Sequence, residues 1–169
     1  IERDRYSERI ATPFKTIDEL VECANTLLNR RKSRAGRSLE HHLGAIFTRY
    51  SLKYTAQANT EGNKKPDFIF PSEAAYHDLG FNSKRLTFLG AKTTCKDRWR
   101  QILNEADRIE NKHLFTLQQG ISKNQLMEMY DHKVTLVVPK SYISSFPNEF
   151  KGKILSLESF IQIVKNKDI

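Results

Sequence analysis

The sequence predicts an α/β fold, a central mixed β-sheet flanked by helices, and three observations lead to it. Apolar residues recur at helical spacing over 20–28, 39–50 and 99–109. Two short, near-continuous apolar runs, 113–117 and 134–138, fit strands buried on both faces, as in the parallel part of a sheet. Three further runs, 53–57, 67–70 and 86–92, are bounded by turn residues and read as strands. The order becomes helix, helix, three strands, helix, strand, helix, strand, helix, which is an α/β sandwich.

Each element has a local cause. Residues 1–15 mix charges with small residues and read as an arm or linker. Thr16-Ile17-Asp18-Glu19 is a capping box, and Leu20, Val21, Ala24, Leu27 and Leu28 continue it as a helix to about residue 29. Residues 30–37 hold Arg30, Arg31, Lys32, Arg34 and Arg37 around Gly36 and read as an exposed basic connector. Ser38 can cap a second helix with Leu39, Leu43, Ile46, Phe47 and Tyr50 on one stripe. Glu61-Gly62-Asn63 is a turn that allows a hairpin from 53–57 into 67–70. The segment 95–109 reads as helix, with Trp99, Ile102, Leu103, Ala106 and Ile109 in register and Trp99 therefore in the core. A short helix over 122–130 and a closing helix capped by Ser156 complete the chain.

Composition narrows the partners. The 169 residues suffice for one domain with one core, and no repeat or internal boundary divides 1–169. Lys and Arg outnumber Asp and Glu by 28 to 20, giving a net charge of +8 and favouring a polyanionic partner. No apolar run approaches the ~18 residues of a membrane span, and no signal peptide pattern is present. The cytoplasm is the expected compartment and no membrane role is expected. Cys23 and Cys95 show no disulfide or metal spacing and read as reduced thiols. The chain opens at Ile1 rather than Met, which reads as a part of something longer.

The chemistry lies in Pro66-Asp67-Phe68-Ile69-Phe70, Gly90-Ala91-Lys92 and Glu105. Phosphodiester hydrolysis needs charge neutralised on the phosphate and on the departing oxygen. A divalent ion does both and lowers the pKa of its own water. Mg²⁺ takes oxygen ligands, usually one or two carboxylates with water and substrate oxygens. Asp67 and Glu105 could supply the carboxylates, and Lys92 could orient the nucleophile or stabilise the pentavalent phosphate. Taken singly, Pro-Asp is a common turn pair, a strand-end Lys can snorkel, and a helical Glu is usually solvated. Their joint occurrence in one βββα order points to a site.

These residues resemble the PD…xK…E variant of the PD-(D/E)xK nucleases. The usual form places an acid two residues before the lysine, where this sequence has Gly90; the variant moves that carboxylate to the following helix, where Glu105 lies. The longer strings Arg34-Ala35-Gly36-Arg37-Ser38-Leu39-Glu40, Glu61-Gly62-Asn63-Lys64-Lys65-Pro66-Asp67 and Ala91-Lys92-Thr93-Thr94-Cys95-Lys96-Asp97-Arg98-Trp99 resemble the C-terminal catalytic domains of EcoRII-type restriction endonucleases. The resemblance implies a restriction endonuclease-like sandwich in which Asp67 and Glu105 bind Mg²⁺ and Lys92 is catalytic. It adds Glu40 as a further acidic residue, although an acid there also suits a helix first turn. It further implies a bacterial homodimer cutting double-stranded DNA at a short palindromic site of the CCWGG type, before the first cytosine. An N-terminal effector domain would lie outside this chain.

Recognition would fall to Lys96-Asp97-Arg98. Arg can bond bidentately to guanine O6 and N7, and an acid can accept from cytosine N4. The resemblance also makes this cluster the base-reading motif of CC…GG enzymes, while its ordinary reading is a solvated helix turn. Arg31 and Arg34 are candidates for phosphate contacts, or belong to a plain surface connector. Tyr76 could act near the scissile phosphate, though a hydrolytic metal site makes a tyrosine attack unnecessary. His41 and His42 are adjacent and diverge on a helix, and no phosphate-binding loop is present, so neither zinc nor a nucleotide cofactor is expected. A nicking or repair enzyme, or a DNA-binding module that has lost catalysis, is the alternative on the same fold.

Overall fold

In a computed structural model of the chain, residues 2–167 are described; the side chains of Glu2, Lys96 and Asp97 lie outside the described residues. The chain forms two compact units, Ile1–Ala35 and Gly36–Ile169.

The first unit contains helix α1 (Glu2–Ala11) and the beginning of α2 (Ile17–Arg49). Half of the capping box forms: Thr16 Oγ1 accepts from Glu19 N at 3.2 Å, while Glu19 Oε2 accepts from Lys15 N at 3.1 Å, one residue before the expected donor. Two expectations are corrected here. Residues 1–15 are no mere arm, since α1 occupies most of them, and the basic segment 30–37 is no connector but the middle of α2. The physical reason is shared. Arg, Lys, Glu and Ala are good helix formers, no proline lies within Glu2–Ala11 or 30–37 (Pro13 follows the end of α1), and the lone Gly36 costs only about 1 kcal/mol.

The second unit is built on a six-stranded sheet in the order β1 (Thr55–Ala56), β2 (Phe68–Phe70), β3 (Thr87–Lys92), β4 (Lys112–Thr116), β5 (Val134–Val138), β6 (Leu155–Ser156). The first three strands pair antiparallel and β3 through β6 pair parallel, so the sheet is mixed as expected. The apolar runs behave as their composition demands: β4 is buried throughout and β5 at four of its five positions. Helices α3 (Glu73–His77), α4 (Lys123–Asp131), α5 (Asn148–Lys151) and α6 (Leu157–Lys167) complete the unit. Ser122 and Ser156 cap α4 and α6 through their hydroxyls, accepting from Gln125 N at 3.3 Å and Ser159 N at 3.0 Å.

Strand alternation sends side chains to two cores. Leu39, Leu43 and Phe47 of α2 pack with Phe68, Phe70 and Leu89 and with Phe160 of α6 on one face. Phe47 meets Phe68 and Phe70 edge-to-face at centroid separations of 5.1 and 5.3 Å. On the other face Phe88, Trp99, Ile102, Leu114 and Met129 form the second core, so Trp99 is fully buried as the apolar stripe required.

The helix expected over 95–109 is instead a 3₁₀ helix, Lys96–Asn104, after which the chain turns extended at Glu105 and left-handed at Ala106 (φ 54°). In a 3₁₀ helix residues i and i+3 eclipse, which stacks Trp99 over Ile102 on the core side. That spacing is shared by both helix types over so short a stretch, so periodicity could not tell them apart. Glu105 therefore projects from the exit of a helix, not from its side.

Candidate active site

The β2–β3 register places Phe68 opposite Leu89, bringing Asp67, the residue just before β2, alongside the end of β3. There Asp67 Oδ2 accepts from the Ala91 backbone N–H at 2.7 Å and from Lys92 Nζ at 2.9 Å. Asp67 is only 6% exposed, so this pair is held in a partly desolvated setting where charge-assisted bonds are strong. From β1's side, Gln57 N donates to the Asp67 carbonyl at 3.1 Å. The Gln57 side chain then bridges two acids, donating to Asp67 Oδ1 at 3.3 Å and to Glu40 Oε2 at 3.0 Å. Gln57 was not legible as a site residue, because only the hairpin register brings it opposite Asp67.

Glu105 completes the group electrostatically. Burial and the negative charge of Asp67 push its carboxyl up to about 7, against the opposing pull of Lys92 and Lys112. Glu40 is raised by burial and by Asp67, and is partly relieved by Gln57 and Lys92. Glu40, Asp67 and Glu105 thus share one electrostatic field with Lys92, the lysine bonded directly to Asp67. The donor set suits Mg²⁺, since all its acids offer hard oxygens and two carboxylates suffice for an ion that keeps several waters. Among the described residues no three His, Cys, Asp or Glu side chains are grouped tightly enough to enclose an ion.

Gly90 explains why the usual acid is missing. A Cβ built there would meet Ile102 Cγ2 at 3.0 Å and Leu114 Cδ1 at 3.5 Å. The position faces packed hydrocarbon, with room for neither a carboxylate nor its solvation. The second acid enters from beyond the same 3₁₀ helix that closes this space.

Other candidates fall elsewhere. Tyr76 is buried, and its hydroxyl donates to a Glu61 carboxylate oxygen and accepts from Arg108 N at 3.3 Å. Burial and Glu61 drive its pKa well above the ordinary phenol value, which works against attack on phosphorus. Tyr76 instead ties α3 to the segment following Glu105. Arg98 is exposed on the 3₁₀ helix; the side chains of its expected companions Lys96 and Asp97 lie outside the described residues. Arg31 and Arg34 are exposed on α2 in the first unit. No helix among the described residues is long and apolar enough to cross a membrane.

A mixed sheet with an acid–lysine pair at the junction of β2 and β3 defines a restriction endonuclease fold, and solved structures agree. The chain matches metal-depleted Ecl18kI in complex with uncleaved, modified DNA at a TM-score of 0.75 and 21% identity, over 99% of this chain and 58% of that one. It matches restriction endonuclease PspGI in a substrate DNA complex at 0.70 and 17%, over 97% of this chain and 72% of that one. The family model described as the EcoRII C terminal matches residues 1–161, and the chain belongs to that family. It is 54% identical over 149 residues to the type II restriction enzyme EcoRII of Escherichia coli, covering 88% of this chain and 37% of that protein. Against the type II restriction enzyme SsoII of Shigella sonnei it is 24% identical over 142 residues, covering 78% of this chain and 45% of that protein. The chain therefore spans less than half the length of either relative.

Proposed function

We propose that this domain is the catalytic part of a type II restriction endonuclease, hydrolysing double-stranded DNA with Mg²⁺ at a short palindromic site of the CCWGG type. The reading rests above all on the convergence of Lys92 and the Ala91 N–H on one oxygen of Asp67. The likeness to a named restriction enzyme at 54% identity supports the substrate class. In this reading the domain acts as a homodimer in the bacterial cytoplasm, its two-fold axis matching that of the site.

Asp67 and Glu105 would hold the ion, with Glu40 as an outer acid linked through Gln57. The bound ion supplies charge neutralisation at the phosphate and a water of lowered pKa. Lys92, positioned by Asp67, places a fixed positive charge and a proton donor where phosphate charge develops. The Ala91 N–H and Gln57 hold the Asp67 carboxylate in one orientation. Incubation of plasmid with the protein and Mg²⁺ tests the reading: discrete cutting is expected. Tight DNA binding without cutting under any divalent ion would favour the catalytically silent module instead.

Recognition gives a separable prediction. Arg98→Ala should relax discrimination at G·C pairs, with each lost bidentate contact worth about 1–3 kcal/mol. Relative cleavage of duplexes altered at one G·C pair measures it, and unchanged selectivity would remove Arg98 from base reading.

The raised Glu105 pKa gives another. Its folded value of about 7 lies above the ordinary 4.5, so ionisation in the folded protein opposes stability. That penalty is fully present above pH 7, fades as pH falls through 7, and is gone below the unfolded value. Glu105→Gln should therefore stabilise the fold in EDTA at pH 8, by on the order of 1 kcal/mol once the side chain's partial exposure is allowed for, and so raise the melting temperature. The gain should shrink toward pH 5, and Mg²⁺ should narrow it by stabilising the wild type alone. Thermal unfolding at the two pH values, with and without Mg²⁺, checks this; a pH-independent difference would contradict it.

A further inference from the structure

A second lysine, buried, holds the turn that follows Glu105. Lys112 is 5% exposed at the head of β4, paired in register with Phe88. Its ammonium donates to the Ala106 carbonyl at 3.1 Å and the Ile109 carbonyl at 2.8 Å, and lies 5.5 Å from the Phe88 ring centroid. An ammonium so placed is unfavourable unless its donors are satisfied, and two of the three are spent on one turn.

That turn directly follows Glu105. Ala106 is left-handed at φ 54°, a conformation disfavoured for a residue with a Cβ, and Ile109 N closes the turn on the Ala106 carbonyl at 2.9 Å. Asp107 N is held by Glu61 Oε2 at 3.3 Å. The surroundings therefore enforce a backbone shape that the local sequence does not favour. Arg108, inside the turn, is tied to Tyr76, Asp78 and Phe81, and Lys112 bonds the carbonyls at the turn's two ends, Ala106 and Ile109.

Resting on the metal reading of Asp67 and Glu105, we propose that Lys112 is a positioning residue for divalent-cation binding. By holding the Ala106 and Ile109 carbonyls it fixes the turn that delivers Glu105 to the Asp67–Lys92 pair. It touches neither ion nor DNA. Outer partners of this kind tune metal affinity by about 10–100-fold when removed.

The test is Lys112→Met, whose unbranched apolar chain fills the same space without the donors. Lys112→Gln, which keeps an N–H₂ group, replaces it if the first does not fold, and should show a smaller shift in the same direction. Mn²⁺ bound to the protein–product DNA complex is counted from loss of the free ion's electron spin resonance signal. The Mg²⁺ concentration for half-maximal cleavage is measured in parallel, with the KM for DNA. About a tenfold weaker Mn²⁺ affinity and a matching rise in Mg²⁺ requirement are expected, with the KM for DNA unchanged. Wild-type Mn²⁺ affinity in a folded variant, or a shift confined to the KM for DNA, would overturn the proposal. Glu105→Gln separates the two levels: if it leaves Mn²⁺ uptake unchanged, or if the wild type takes up none, the metal reading itself fails.

Discussion

Lys92→Ala is expected to lower the rate of DNA cleavage by on the order of 10³-fold, the scale of losing one preorganised group that meets transition-state charge. Binding of the same DNA in Ca²⁺ should persist, because Lys92 is a single cation in a protein of net charge +8. Asp67→Asn should be at least as damaging. It keeps the side chain's size but replaces the charged acceptor of Lys92 and of the Ala91 N–H, and removes an ion ligand. The two residues act as one unit, so the double variant should be little worse than either single one. Single-turnover cleavage rates for the three variants, beside Ca²⁺ binding curves, decide the matter. Near wild-type cutting by either single variant would remove the pair from the chemistry. A double variant showing the full product of both losses would mean that they act independently.

Gly90→Asp should fail, although it restores the acid that the common nuclease motif carries two residues before its lysine. The added Cβ enters 3.0 Å from Ile102 Cγ2, and the carboxylate beyond it would sit among Ile102, Leu114 and Phe88. Overpacking costs about 1–3 kcal/mol. Burying an unpartnered charge adds several more unless the group stays protonated. A loss of about 4 kcal/mol corresponds to a melting point roughly 10 °C lower in a chain of this size. Ile102→Ala in the same background should recover part of the loss by opening space, at the cost of its own cavity. Thermal unfolding of the single and double variants measures both effects. A Gly90→Asp protein as stable as wild type would mean that Glu105 holds its place for some reason other than packing.

Much of this arrangement was legible in the chain, and for identifiable reasons. Val134 to Val138 announced a buried strand because a continuous apolar run between turn signals has few other homes. The cap Ser156 was legible because a hydroxyl before an apolar repeat has a local job, whereas Ser38, read in the same way, lies inside the continuous helix α2. Asp67, Lys92, Glu105 and Glu40 emerged as a set; in the structure Lys92 bonds Asp67, Gln57 links Asp67 to Glu40, and Glu105 feels Asp67 and Lys92 through its charge alone. What failed was whatever depended on competition between similar local states. The basic stretch 30–37 looked like a connector because charge was read as exposure, and exposure does not prevent a helix. The 3₁₀ character of Lys96–Asn104 depends on Trp99 and Ile102 stacking into a core that the local sequence does not describe. Gln57 and Lys112 were missed because register and tertiary closure give them their roles. Lys112 did leave one trace, a lysine heading the apolar run His113-Leu114-Phe115, and that placement is what a buried donor needs.

Asp67, Lys92 and Glu105 are proposed to form a Mg²⁺-dependent centre that cuts DNA at defined sites. Run-off mapping of both strands of a cleaved plasmid tests it most directly, because it yields site, cut position and overhang from one gel. In Mg²⁺ the account predicts discrete ends on both strands, placed symmetrically before the first cytosine of CCWGG-type sites, and no ends in Ca²⁺. Scattered ends unrelated to sequence, or equal cutting in EDTA, would contradict it.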